Sequence, residues 1–113
     1  MAHKYNARKT TIDGITFDSM AEARRYSELL LLERAGEIAD LEMHPRFEIQ
    51  PAFTLPSGEK FAAVRYEADF RYVDKRTGER IVEDVKGVET PVFKLKRKMM
   101  AHVHGISVQV VQA

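Results

Sequence analysis

At 113 residues, with 44% hydrophobic and 31% charged side chains, the chain is sized for one domain around a single core and is not disordered in composition. Its 18 Lys and Arg against 17 Asp and Glu leave a net charge of +1, so attraction for a polyanion has to come from local patches. The absence of cysteine removes disulfides and thiolate metal sites, and the longest apolar runs, Leu29 to Leu32 and Phe61 to Val64, are far too short to cross a membrane.

The first residues, MAHKYNARK, lack the apolar centre of a signal peptide, so a cytoplasmic location is expected. Lys4, Arg8 and Lys9 make residues 1–11 a basic arm that either orders on a polyanion or remains a solvated tail. Ser19 is a good N-cap for a helix over Met20 to Ala35, and Gly36 stands where a left-handed C′ residue belongs. Phe47 to Thr54 and Phe61 to Asp74 read as strands joined by a turn at Pro56-Ser57-Gly58-Glu59. A second turn, Lys75-Arg76-Thr77-Gly78, leads into a strand over Arg80 to Val88. Thr90-Pro91, an N-cap followed by proline at N1, opens a second helix to about Val103. Gly105 stops it, and Ile106 to Val111 alternates as a last strand. The order is helix, three antiparallel strands, helix, strand, in one α/β domain spanning 1–113.

The turn at 75–78 sets a register in which Asp74 faces Glu79, Asp69 faces Asp84 and Glu67 faces Lys86. Directly opposed residues share a face, so Glu67, Asp69, Asp84 and Lys86 are expected together, with Tyr66, Ala68, Phe70 and Tyr72 on the other side. Opposed carboxylates call for a shared proton or a cation. Lys86 supplies part of that compensation, and hard oxygen ligands without Cys favour Mg²⁺ or Mn²⁺ over zinc. Ordinary cross-strand charge pairs on an exposed face explain the same cluster without any function. Glu22 is similarly double: Ser19-Met20-Ala21-Glu22 is a capping box, yet Glu22 lines up with Tyr26 and Leu29 on the side of the helix facing the sheet. On the second helix Lys94, Lys98 and His102 form a stripe within the basic run Lys94-Leu95-Lys96-Arg97-Lys98, opposite an apolar side of Phe93, Leu95, Met99, Met100 and Val103. His44-Pro45 reads as a turn.

An acid in one strand, Asp-Val-Lys in the next, then a helix and a strand resembles the PD-(D/E)XK nuclease superfamily over essentially the whole chain. The stretches TIDGITFDSMAEARRYSEL, HPRFEIQPAF, YEADFRYVD and VEDVKG further resemble a family of phage and prophage proteins taken to be such nucleases. Ala68 stands where the superfamily has proline before the first acid. The resemblance implies a restriction-endonuclease-like core of order α-β-β-β-α-β, a mixed sheet flanked by helices. It implies that Asp69 and Asp84 bind Mg²⁺ with the Val85 carbonyl, that Lys86 positions the attacking water, and that Glu22 joins the site from the first helix. Phosphodiester hydrolysis needs a hydroxide near neutral pH and positive charge on the developing oxyanions, both of which a bound cation provides. With such a site, Lys94, Lys96, Arg97 and Lys98 become DNA-phosphate contacts. The expected activity is a Mg²⁺-dependent phage-type DNA endonuclease, with Mn²⁺ as a substitute cation, acting on branched DNA in the manner of a Holliday-junction resolvase. A resolvase would act as a homodimer, since two strands are cut. The rivals are a nickase or flap nuclease of a recombination or restriction system, and a non-cleaving binding module of the same fold.

Overall fold

The structure, a computed structural model, describes residues 9–113. Two short strands, β1 (Thr10–Ile12) and β2 (Ile15–Phe17), form an antiparallel hairpin before helix α1 (Met20–Arg34). The chain continues through β3 (Ile38–Met43), β4 (Arg46–Gln50), β5 (Phe53–Thr54), β6 (Lys60–Phe61), β7 (Val64–Glu67), β8 (Phe70–Asp74) and β9 (Arg80–Lys86). Helix α2 (Pro91–His104) and β10 (Gln109–Gln112) complete it. The largest sheet has the order β10-β9-β8-β3, with β10 parallel to β9 and the other neighbours antiparallel. The architecture is mixed α/β, and no helix of the described residues is long and apolar enough to cross a membrane.

Local chemistry sets both helices. The Ser19 hydroxyl accepts the Glu22 N–H at 3.1 Å, and the Thr90 hydroxyl accepts the Phe93 N–H at 3.1 Å, each satisfying an amide that the first turn leaves free. Gly105 ends α2 in the left-handed region at φ 68°, where a side chain would be strained.

Strand β9 divides the core by its two-residue period. On one face Ile81 and Val85 pack against Tyr26 and Leu29 of α1 together with Phe17, Phe70 and Tyr72. On the other, Val82 packs with Phe93 and Met100 of α2 and with Phe47, Tyr66 and Val108. Each fully buried Leu or Phe contributes about 1.5–3 kcal/mol of apolar burial to holding these layers together.

From β3 to β8 the chain is one long antiparallel ribbon. Ile38 pairs with Asp74 at its base, Phe47 with Tyr66 midway and Phe53 with Phe61 near the tip, with register shifts between Ala39 and Glu42 and between Glu48 and Gln50. At His44–Pro45 and Ala68–Asp69 both strands leave the large sheet together. Two backbone hydrogen bonds span this corner, from the His44 N–H to the Asp69 carbonyl at 2.9 Å and from the Ala68 N–H to the Pro45 carbonyl at 3.0 Å. His44 holds φ 55°, a left-handed conformation costing about 1–2 kcal/mol, in a position that the following proline would otherwise drive to extended backbone.

The expected order changes in three places. The first strand of the large sheet is β3, whose residues carried no strand expectation, whereas 47–54 belongs to the outer ribbon. Phe61 to Asp74 is not one strand: it breaks at 62–63 and again at the corner, which sends Tyr66 and Ala68 to the α2 side and leaves Phe70 and Tyr72 on the α1 side. The break also cancels the Glu67–Lys86 pairing. Glu67 lies opposite Arg46 instead, with Arg46 Nε 3.0 Å from its carboxylate. Of the basic arm over 1–11, residues 1–8 lie outside the described residues, and Thr10 and Thr11 belong to β1. On α2, Leu95 and Val103 are exposed and only Phe93 and Met100 are fully buried, so its apolar face is narrower than the sequence implies.

The α1–β9 contact includes a buried charge. Arg25 donates from Nε to Glu83 Oε1 at 2.9 Å and from Nη2 to Oε2 at 2.7 Å, while the Tyr72 hydroxyl donates to Oε2. Hydrogen bonding to Glu83 raises the Arg25 pKa further. Replacing Glu83 by Ala should cost about 3–5 kcal/mol, because it strands Arg25 against the core. The double replacement Arg25→Met with Glu83→Leu should cost less than Glu83→Ala alone, as read from urea-unfolding midpoints.

Candidate metal centre

The corner of the ribbon brings distant residues to one point. Glu22 comes from the first turn of α1, His44 from the end of β3, Asp69 from the start of β8, and Asp84 with Lys86 from β9. One ligand atom each from Glu22, His44 and Asp69 lie within 4.8 Å of one another. His44 Nε2 is 2.8 Å from Glu22 Oε1. The capping box is therefore half used: the Ser19 hydroxyl takes the Glu22 amide, and the Glu22 carboxylate turns to the cluster. The alignment of Glu22 with Tyr26 and Leu29 foretold this, since all three are buried.

The register set by the turn holds from Asp74, bonded to Glu79, to Phe70 against Glu83, and the Asp69 N–H donates to the Glu83 carbonyl at 3.1 Å, so regular pairing stops just short of Asp69 and Asp84. They are held apart by backbone rather than by sharing a proton. Asp69 Oδ2 accepts the Val85 N–H at 2.7 Å, and Asp84 Oδ1 accepts the Asp69 N–H at 2.9 Å. Asp84 Oδ2 accepts the Tyr66 hydroxyl. Both Asp84 oxygens are thus engaged, and this carboxylate sits one hydrogen bond from the Glu22–His44–Asp69 group instead of inside it. Val85 takes part through its amide.

Burial dominates the electrostatics. Desolvation pushes the Asp84 pKa up to about 6, with Lys86 and the Asp69 amide opposing it. Desolvation raises Asp69 as well, against the Val85 amide and the Lys86 charge, and raises Glu22, where Asp69 adds repulsion. At His44 burial works against the imidazolium, but the Glu22 carboxylate outweighs it and the pKa is raised. Lys86 therefore acts on both aspartates, and its Nζ lies 4.7 Å from the centre of the Phe93 ring. Three crowded carboxylates with raised pKa values offset by two cationic groups form a site that a divalent ion would stabilise.

The remaining expected residues separate. Lys96 lines a groove of about 510 Å³ with Lys86, Arg46, Arg65 and Glu67. Lys94, Arg97 and Lys98 line a different concavity with Glu89. His44 is the site residue that sequence reasoning missed. His-Pro looks like a turn, and only the ribbon corner, which is long-range, aims the imidazole at Glu22.

The buried Asp84 charge has a consequence for stability. An aspartate whose folded pKa is raised stabilises the fold below its unfolded pKa near 3.8, and this contribution is lost as pH rises through about 6. In EDTA, Asp84→Asn should therefore be stabilising at pH 7, by on the order of 1–3 kcal/mol, and nearly neutral at pH 4. The asparagine keeps an acceptor for the Asp69 amide and can donate to the Tyr66 oxygen. Thermal melts at the two pH values measure the difference.

Comparison with curated proteins finds no match, and comparison with solved structures finds none. A family described as "Protein of unknown function (DUF1064)" matches residues 2–111, nearly the entire chain that folds around this cluster, and the chain belongs to that family.

Proposed function

We propose that the protein is a metal-dependent endonuclease hydrolysing DNA phosphodiesters, with Glu22, His44 and Asp69 holding the ion and Asp84 and Lys86 completing the site. The observation that supports this best is the convergence of three carboxylates and a lysine from α1, β8 and β9 on the corner of one ribbon. The large sheet takes its elements in the order α1, β3, β8, β9, α2, β10, consistent with a restriction-endonuclease-like core. The donor set fits a divalent ion: Asp69 has one oxygen fixed by the Val85 amide, which orients the other, and the raised pKa values show charge seeking compensation. Two carboxylates suit Mg²⁺ or Mn²⁺, and the His44 imidazole moves the preference toward Mn²⁺. The ion, when bound, supplies positive charge against the transition state and makes water acidic enough to attack near neutral pH.

The chain's own residues supply the rest. Asp84 fixes the Asp69 backbone through its amide and so sets the direction of the Asp69 carboxylate. Lys86, anchored over Phe93, hydrogen-bonds the attacking water or a non-bridging phosphate oxygen. Attack at phosphorus expels the 3′-oxygen and leaves a 5′-phosphate. The groove of Arg65, Lys86 and Lys96 suits phosphates, which carry no base sequence, so backbone shape, such as a branch or junction, is the expected determinant. Cutting both strands of a junction requires a homodimer.

One observation favours the non-cleaving module: both Asp84 oxygens are already engaged by Tyr66 and Asp69. The two readings part on labelled linear duplex, single strand, flap and four-way junction in Mg²⁺, Mn²⁺ or EDTA. A nuclease cuts at least one substrate, faster in Mn²⁺, and Lys86→Ala lowers the rate by about 10²–10³, far more than it weakens binding. Binding without cutting in either ion would overturn the catalytic reading.

A further inference from the structure

The outer half of the ribbon has no role in the core. Residues 50–62 are exposed without interruption, and they contain three large apolar side chains: Phe53, Leu55 and Phe61, at 42%, 40% and 39% exposure. Phe53 and Phe61 pair across β5–β6 and stack with ring centroids 4.9 Å apart and planes 13° from parallel. The turn behind them is closed by Leu55 N–H to Glu59 O at 2.8 Å and Gly58 N–H to Leu55 O at 2.9 Å. The tip is thus a built hairpin that presents stacked aromatic rings to solvent, where apolar surface is costly unless something covers it.

Charge identifies what would cover it. Inward of the tip, beside the corner, lies a groove lined by Arg46, Arg65, Lys86 and Lys96, with Glu67 the one acid among its described lining residues. Arg46 is paired to Glu67 at 3.0 Å, which leaves three cations in the groove. At the tip itself Lys60 lies between Glu59 and Phe61. Cations lining a groove at the inner end of a ribbon whose outer end exposes aromatic rings suit a nucleic-acid strand whose phosphates meet the charges and whose unpaired bases meet the rings.

We propose that the ribbon tip is a base-stacking platform: Phe53 and Phe61 engage unpaired bases of a strand whose backbone lies in the Arg65–Lys86–Lys96 groove. This rests on the nuclease reading of the carboxylate cluster and specifies its substrate as nucleic acid with unstacked bases close to the cut. The reach is bounded by the ribbon. Eight residues separate Phe61 from Asp69, at most about 26 Å of strand. At about 3.4 Å per nucleotide along a duplex strand, the unpaired bases fall within about eight nucleotides of the cleaved bond.

The test uses the whole chain in EDTA, so that binding is read without cutting. Probes are a fluorescein-labelled DNA duplex and a forked DNA of the same sequence with one end unpaired, each also made with 2-aminopurine in the region that becomes unpaired. The variants are Phe53→Ser/Phe61→Ser and, as a control on another exposed apolar residue, Leu31→Ser. Wild type should bind the fork about tenfold more tightly than the duplex and quench 2-aminopurine in the fork. The double variant should lose both effects, with duplex binding and melting temperature unchanged, while Leu31→Ser behaves as wild type. A fork preference that survives in the double variant overturns the proposal. So does a double variant that binds as wild type but turns a dimer into a monomer by light scattering, since the tip would then seat a second copy. Either result leaves Mn²⁺-dependent cutting in place and fails this inference alone. Wild type that binds neither probe in EDTA, and cuts neither once Mn²⁺ replaces the EDTA, fails the underlying reading as well.

Discussion

Two backbone hydrogen bonds at the corner of the ribbon, from the His44 N–H to the Asp69 carbonyl and from the Ala68 N–H to the Pro45 carbonyl, are the constraint on which the rest of the structure depends. They make two strands leave the large sheet at the same level, so the break in one is matched by the break in the other. Without that match the His44 and Ala68 amides and the Pro45 and Asp69 carbonyls would be left unpaired next to buried Pro45 and Ala68, a cost of about 1–3 kcal/mol per group. At the corner the Asp69 amide is shared between the Glu83 carbonyl and Asp84 Oδ1, and its side chain turns back to the Val85 amide. Strain at His44 is localised where the imidazole has to meet Glu22, consistent with strained backbone gathering at sites and being held by what surrounds it.

Neighbouring residues of β9 solve the same problem in different ways. Glu83 and Asp84 are both buried and face opposite sides of the sheet. Glu83 meets a bidentate guanidinium and a tyrosine hydroxyl, so its charge is fully compensated and it joins α1 to the sheet. Asp84 receives one amide, one hydroxyl and a more distant lysine, and burial still raises its pKa to about 6. The first carboxylate holds the framework. The second is left under-compensated beside two others in a site that a cation can complete. Because α1 carries both Arg25 and Glu22, the structural ion pair also sets the distance of Glu22 from the aspartates.

The ribbon's length separates the roles along a single hairpin. Its base supplies sheet edge and core, its corner the carboxylate cluster, its middle part of a basic groove, and its tip exposed aromatic rings. The outer strands need not pack on the helices for stability, because their ladder satisfies the backbone and α2 covers only the middle, around Phe47 and Tyr66.

Local signals in the sequence determined both helices with their caps, and the four-residue turn at 75–78 determined the β8–β9 register from Asp74 back to Phe70, and with it the nearness of Asp69 to Asp84. These depend on side chains a few residues apart, so their physics is contained in a short window. The periodicity that placed Glu22 with Tyr26 and Leu29 is of the same kind. Tertiary structure alone decided that Ile38–Met43 is the edge of the large sheet, that Tyr66 and Phe70 belong to different cores, and that His44 rather than Asp84 shares the tightest cluster. Each of these follows from the ribbon corner, which joins His44 to Asp69 and Pro45 to Ala68, pairs far apart in the chain. No alternation pattern records where an apolar strand will break when both of its halves are buried. A His-Pro pair likewise carries no sign of what its imidazole will meet until the strand opposite has bent with it.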